Sequence, residues 1–495
     1  IQGHMAAANG ATDVNLNLAG NNFTNVRVTG GDVVNFTDSN GFALEKSSVD
    51  GALTLNSAGA ITQNGALSGT GSVTKLGAGT ATFSQTNTYS GSTTVSAGTL
   101  LVSGGSITQT ASLTIGNATF QQTGGTVAVV GGVIDAGASS LLVDNGAMTV
   151  GNGLAVDNLR VGFQNTSGGR TASLTVNGGA VSIGTGVETI DIGIRQSSSG
   201  TVSGTANFSA ASSVNIDVAE LRVARNNDAG GSAVSGSLQM SAAGNNTIDA
   251  NSITLGFIVG GATGSTQGTL ALGGASNTLD ADVFTIGGDK ATGTVTIGAG
   301  GTLDLGGENV AATDLFIGNN ANLTTGTAPA LSHLNLAGGT FTALLDEVVI
   351  GRYLHTAGGS GKGMLTMNAG SVTANSITLA FTNGTNAANT TGTINHNGGL
   401  LQFVTLSQGN GTAAYNWNGG TIQNVAGQDL TVTNVELSLA AGPHTFNVDG
   451  GQTATLQSAS ALNGTGDLLK IGTANLVLDG NNVVNVSTDV TAGTP

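Results

Sequence analysis

The chain has 495 residues, among them 82 glycines, 3 prolines and no cysteine, with 8 % charged, 4 % aromatic and 39 % hydrophobic residues and a net charge of −16 set against 12 Lys and Arg. So few cations argue against nucleic acid as a partner, since affinity there rests on cations that displace counterions, and without cysteine neither a disulfide frame nor a thiolate metal site can form. Charge this sparse with apolar residues this frequent does not fit ordinary disorder, and runs such as Val127 to Val130 fall far short of the roughly 20 apolar residues of a membrane-spanning helix.

In chain order, residues 1–5 (I-Q-G-H-M) read as an expression scar, and removal of a secretory signal peptide is expected. Residues 6–70 carry short period-two segments, Val14/Leu16/Leu18, Val26/Val28, Val33/Val34/Phe36 and Leu53/Leu55, broken by Gly and Asn. These predict the first coils of a repeat array or a cap. Residues 71–102 then set Lys75, Gly77, Gly79, Asn87, Tyr89, Gly91, Val95, Gly98, Leu100 and Val102 at fixed offsets. The segment closely resembles the passenger-associated strand repeat of bacterial autotransporters, G-x-L-x-K-x-G-x-G-x-L-x-L followed by N-x-Y-x-G-x-T-x-V and G-x-L-x-V. A second copy over residues 464–495 keeps Gly466, Lys470, Gly472, Leu476 and Leu478, lacks the Tyr-x-Gly step and is read as truncated. The resemblance implies a secreted β-solenoid on a bacterial surface, and two readings of its anchoring stay open, a C-terminal membrane barrel in the full-length protein or another anchor. It implies no particular binding activity.

Residues 103–463 hold the array. Leu142, Leu174, Ala206, Leu238 and Leu270 stand 32 residues apart, and Leu159, Ile190, Leu221, Ile253, Phe284 and Leu315 follow in phase at intervals of 31, 31, 32, 31 and 31. Two apolar marks sharing one period mean a solenoid. Within Gly236 to Gln267 three short strands separated by Gly/Asn turns make one coil; Leu238 and Met240 should point inward and Gln239 outward, because side chains alternate along a strand. The step from Leu270 to Val295 is 25 and from Val295 to Leu334 is 39, so a loop shortened in one coil is lengthened in the next. The strict six-residue period of a left-handed β-helix is missing, as are long 3.6-period stretches. The expected fold is all-β, a right-handed parallel β-helix (β-solenoid) in one elongated body.

Chemistry is harder to find. Asp280/Asp282 and Asp346/Glu347 are the acid pairs; period-two spacing puts Asp280 and Asp282 on one face, yet no Arg or aromatic platform accompanies them, and solvated turn acids are the simpler reading. The calcium repeat G-G-x-G-x-D, H-E-x-x-H, a P-loop and a nucleophile elbow are all missing, and His333, His355, His396 and His444 lack metal-ligand spacing. No catalytic residue, cofactor or metal is expected. His396 and Trp417 align with Met240, Leu272, Leu336 and Met367 on an inward ladder, which reads as core stacking. An outward ladder, Thr175, Asn207, Gln239, Ala271, Thr296, Asn335, Thr366, Asn395 and Asn416, is too mixed for a flat threonine ice-binding array and suits amide bonds between stacked strands.

Five of the seven arginines lie between residues 160 and 225. Arg160, Asp191 and Arg222 share one outward slot, with Glu188, Arg195, Glu220 and Arg225 nearby. Two readings stay open: a self-compensating charge stack, or a strip of Arg160, Asp191, Arg195, Arg222 and Arg225 that recognises an acidic glycan or a neighbouring cell-surface molecule. The expected function is a non-enzymatic extracellular or surface passenger acting as a structural or adhesive scaffold, with loops 260–267 and 382–391 available for weak multivalent contact. A polysaccharide-degrading β-helix enzyme and a fibre-former that self-associates through unpaired terminal coils are the alternatives.

Overall fold

The computed structural model describes residues 13–196, 199–228, 231–259, 264–306, 312–321, 330–354, 359–383, 389–457, 459–479, 482–484 and 488–490. Residues 1–12, His355, residues 260–263 of loop 260–267 and residues 384–388 of loop 382–391 lie outside the described residues, as does part of the stretch 464–495. Two compact units emerge, Ile1–Gly193 with Thr201–Val218, and Ile194–Gly200 with Ala219–Pro495. In each, short strands pair in parallel with the equivalent strand one coil later, and apolar residues alternate inward along them. This is a parallel β-helix, with no α-helix among the described residues.

In the first unit, the ladder Leu55, Lys75, Val95, Ile115 places a lysine in an aliphatic inward slot. Lys75 is 1 % exposed and donates to the carbonyls of Leu76 (2.7 Å), Gly77 (2.8 Å) and Ala97 (3.3 Å). Burial lowers its pKa to about 8. Gly77, at φ 76°, turns the chain so that these carbonyls converge on the ammonium. Asn87 serves its coil in the same way, accepting from the backbone N–H of Leu67 (2.9 Å) and from Gln63 while donating to the carbonyls of Gln85 (2.9 Å) and Ser106 (3.2 Å). Tyr89, also buried, shares a hydrogen bond with Thr93 at 2.7 Å. The repeat's polar markers thus satisfy main-chain groups that the coil's turns leave unpaired. In the second unit Lys470 repeats the device, donating to Ile471 (2.6 Å) and Gly472 (3.0 Å) from a slot beside Phe446.

The second unit keeps both apolar marks. One ladder runs Leu238, Leu270, Val295, Leu334, Leu365, Ile394, Tyr415, and the compensating 25- and 39-residue coils leave its register intact. The other runs Ile253, Phe284, Leu315, Val348, Ile377, Leu406. The first unit corrects one mark. Leu174 pairs with Met148, not with a residue 32 positions earlier; Leu142 pairs with Arg160 on another strand and faces outward. A shorter coil after Met148 had mimicked the period.

Just after the second mark, the strand bends through a residue in the left-handed region: Ala224 (φ 59°), Gly256 (70°), Gly287 (74°), Gly318 (70°), Gly351 (75°) and Ala380 (52°). A Cβ on Gly256 would stand 2.3 Å from the Thr292 carbonyl oxygen, so space as well as φ favours glycine there. The bend also resets the alternation, so that Phe257 faces outward and Ile258 inward. Outward amides form ladders as expected: Asn416 donates to Asn395 (2.8 Å), Asn395 to Thr366 (3.2 Å), and Asn418 to Asn397 (2.7 Å).

His396 and Trp417 lie in the core, in the ladder Met367, His396, Trp417, Leu439. Their rings stack at 6.4 Å with planes 4° apart, and His396 Nδ1 hydrogen-bonds the Tyr415 hydroxyl at 2.9 Å. Burial, and to a lesser extent neighbouring His444, lowers the His396 pKa to about 4, partly offset by the Gly399 carbonyl. An unfolded histidine titrates near 6.5, so between these values the unfolded chain binds the proton and the fold does not. Stability from this group is full above pH 6.5 and lost as pH falls through about 4, a loss of about 3 kcal/mol. Urea unfolding between pH 7 and 4, with His396→Phe as comparison, checks this: the variant should show the smaller acid loss.

Candidate functional site

The five charged residues of the anticipated strip do not line one open surface. Arg160 forms a two-pronged salt bridge with Asp144, Nε to Oδ1 at 2.7 Å and Nη2 to Oδ2 at 2.8 Å, and its guanidinium lies 4.1 Å from the centre of the Phe163 ring. Asp144 was invisible as a partner in sequence because the pairing depends on which coil lies alongside. Asp191 is buried, at 9 % exposure. Arg195 is fully buried, ion-paired to Asp228 at 2.6 Å and donating to the Ser232 carbonyl at 2.9 Å. It is a core cation, and the strip reading does not hold for it. Arg222 meets Glu220 at 3.4 Å, and Arg225 donates from Nε to Asn227 at 2.8 Å.

Beyond Arg225, the second unit carries a different outward feature. The slot after the bend runs Phe257, Gly288, Asn319, Arg352, Phe381 on successive coils, four coil spacings or roughly 19 Å. Alongside it runs Thr254, Thr285, Phe316, Val349, Thr378, Ser407. Phe257, Phe316 and Phe381 are each partly exposed. Arg225 lies 5.5 Å from the centre of the Phe257 ring, and Arg352 lies 5.5 Å from that of Phe316. The Phe257 ring covers the bare backbone of Gly288, where even a Cβ would come within 2.5 Å of it. Arg352 forms no ion pair among the described residues. Sequence reasoning weighed Arg222 and Arg225 and passed over the phenylalanines, although Phe257 and Phe381 follow the bend residue as Arg225 does.

The acid pairs behave otherwise. Asp280 and Asp282 lie on one strand, the first buried and the second exposed. In the first unit Asp157 hydrogen-bonds Asp135, and its pKa is raised by burial and then by that neighbour's charge. Carboxyls in direct contact lie closer together than the roughly 5 to 9 Å separation of glycosidase pairs. His333 is tied to Thr366 at 2.9 Å, and His444 Nε2 donates to the Trp417 carbonyl at 2.7 Å. Among the described residues no three acids or histidines are grouped to hold a metal ion, and no helix is long and apolar enough to cross a membrane.

No curated protein and no solved structure matches the chain. A family model described as the passenger-associated-transport-repeat, a repeat found in autotransporter passengers, matches residues 73–102. Those residues include Lys75, Asn87 and Tyr89, whose buried hydrogen bonds close the coil. The chain therefore carries a passenger-associated-transport-repeat at residues 73–102, set in an all-β parallel β-helix.

Proposed function

We propose that the chain is a non-enzymatic surface passenger that acts as an adhesive scaffold and binds acidic glycans on the outward strip of its second unit. The observation that carries this reading is the ladder Phe257, Gly288, Asn319, Arg352, Phe381 flanked by Phe316 and Arg225. A phenyl face offers apolar area to the C–H face of a sugar, and a guanidinium pairs a carboxylate or sulfate in a two-pronged geometry. Coils repeating at about 4.8 Å present these groups in a line, so several weak contacts with one polymer add through high effective concentration. The passenger repeat at residues 73–102 supports the surface setting.

Screening acidic and neutral oligosaccharides tests the proposal. Acidic chains should bind, more weakly as salt rises. Phe257→Ala, Arg225→Ala and Arg352→Ala should each weaken binding about tenfold, equivalent to about 1.4 kcal/mol. Arg160→Ala, in the first unit, should leave it unchanged. Binding to none of the glycans, or binding indifferent to all three strip changes, would retire the reading.

A further inference from the structure

The two arginines of the proposed glycan strip lean toward each other along the coils. Arg225 and Phe257 occupy equivalent slots on adjacent coils, since just beyond them the Val259 N–H donates to the Asn226 carbonyl at 2.7 Å. From Phe257 the slot runs through Gly288 and Asn319 to Arg352, so the two arginine backbones stand four coils apart, roughly 19 Å. Their guanidiniums are closer. Arg225 lies against the ring of Phe257, one coil on, and Arg352 against the ring of Phe316, one coil back. About two coil spacings, roughly 10 Å, therefore separate the cationic heads along the axis.

The coil between them presents no charge to this face. Its outward residues there are Gly288, roofed by the Phe257 ring, and Thr285, only 9 % exposed. Lys290 comes after the buried Asp289, around a tight turn closed by the Ala291 N–H on the Gly288 carbonyl at 3.1 Å. A polymer lying along the strip thus meets a cation, an apolar platform and a second cation in turn. Sugars in an extended pyranose chain follow one another at close to the coil spacing of about 4.8 Å, so carboxylates on alternate sugars fall on the two guanidiniums and the sugar between them lies on Phe257. A polymer charged on every sugar would press its middle carboxylate onto that phenyl ring, where it loses water and finds no partner.

Resting on the reading of the strip as an acidic-glycan site, we infer that it selects linear polysaccharides in which a uronic acid alternates with a neutral sugar over polymers of uronic acid alone.

Calorimetric titration with two oligosaccharide series of matched length tests this, one alternating glucuronate with N-acetylglucosamine, the other made of galacturonate alone. The alternating tetrasaccharide, with two carboxylates, should bind at least about tenfold more tightly than the disaccharide with one, and than tetragalacturonate. Arg225→Ala and Arg352→Ala should each cost the alternating tetrasaccharide about tenfold and the disaccharide no more than about twofold, because a single carboxylate can use either arginine. Lys290→Ala should leave the preference unchanged. Galacturonate bound as tightly as the alternating chain, a tetrasaccharide no better than the disaccharide, a disaccharide that loses about tenfold in both arginine variants, or a preference abolished by Lys290→Ala would overturn the inference and leave the strip a glycan site; the third result would mean that both arginines grip one carboxylate. Binding of neither series overturns it as well, whereas only indifference to every acidic glycan, sulfated chains included, would remove the reading of the strip itself.

Discussion

Replacing Trp417 with alanine is expected to destabilise its coil by about 3 to 5 kcal/mol, the range for emptying a buried aromatic site. The chain's one tryptophan is fully buried, stacked on His396 and met edge-on by His444 at 5.1 Å and by Phe446 at 5.8 Å. Its indole N–H finds no acceptor, so Trp417→Phe gives up volume without stranding a polar group and should cost less than half as much. In a solenoid each coil rests only on its neighbours, so the damage should be local. Hydrogen exchange should accelerate in Thr391–His396, Thr412–Trp417 and Glu436–Leu439 and not in the first unit. A loss under about 1 kcal/mol, or acceleration spread evenly over the chain, would contradict this account of the core.

At Arg195 the expected effect is of similar size and different origin. Its guanidinium is fully buried against an Asp228 side chain that keeps 22 % exposure. Breaking such a pair costs about 3 to 5 kcal/mol when the charge left behind is the buried one. Asp228→Asn strands the buried cation and should therefore cost more than Arg195→Met, which keeps the apolar stem and leaves Asp228 close to water. Urea unfolding of the two variants decides the matter: the reverse order would mean that Arg195 is held mainly by packing and its carbonyl bond to Ser232.

Arg195 also shows where local reading fails. Gly193 sits at φ 70°, and this left-handed bend resets the alternation, so Gln164, Arg195, Asn226 and Ile258 all face inward after equivalent bends. Period-two counting carried across the bend misplaces every one of them. Arg160 illustrates a second failure: its partner Asp144 lies 16 residues away on a neighbouring coil, a separation set by loop length.

The period, the two inward marks of the second unit, the core placement of His396 and Trp417, the amide ladder and the passenger repeat were legible in the sequence. Each follows from local chemistry: alternation fixes which residues face in, and glycine permits the left-handed bend. Only the tertiary structure decided that Met148 and not Leu142 begins the Leu174 ladder, that Arg195 is a core cation, that Phe257, Phe316, Arg352 and Phe381 line one outward face, and that Asp280 is buried beside Asp249. Those facts depend on which coils lie side by side. That is set by loop lengths and bend geometry summed along the chain, and no short window of sequence contains it.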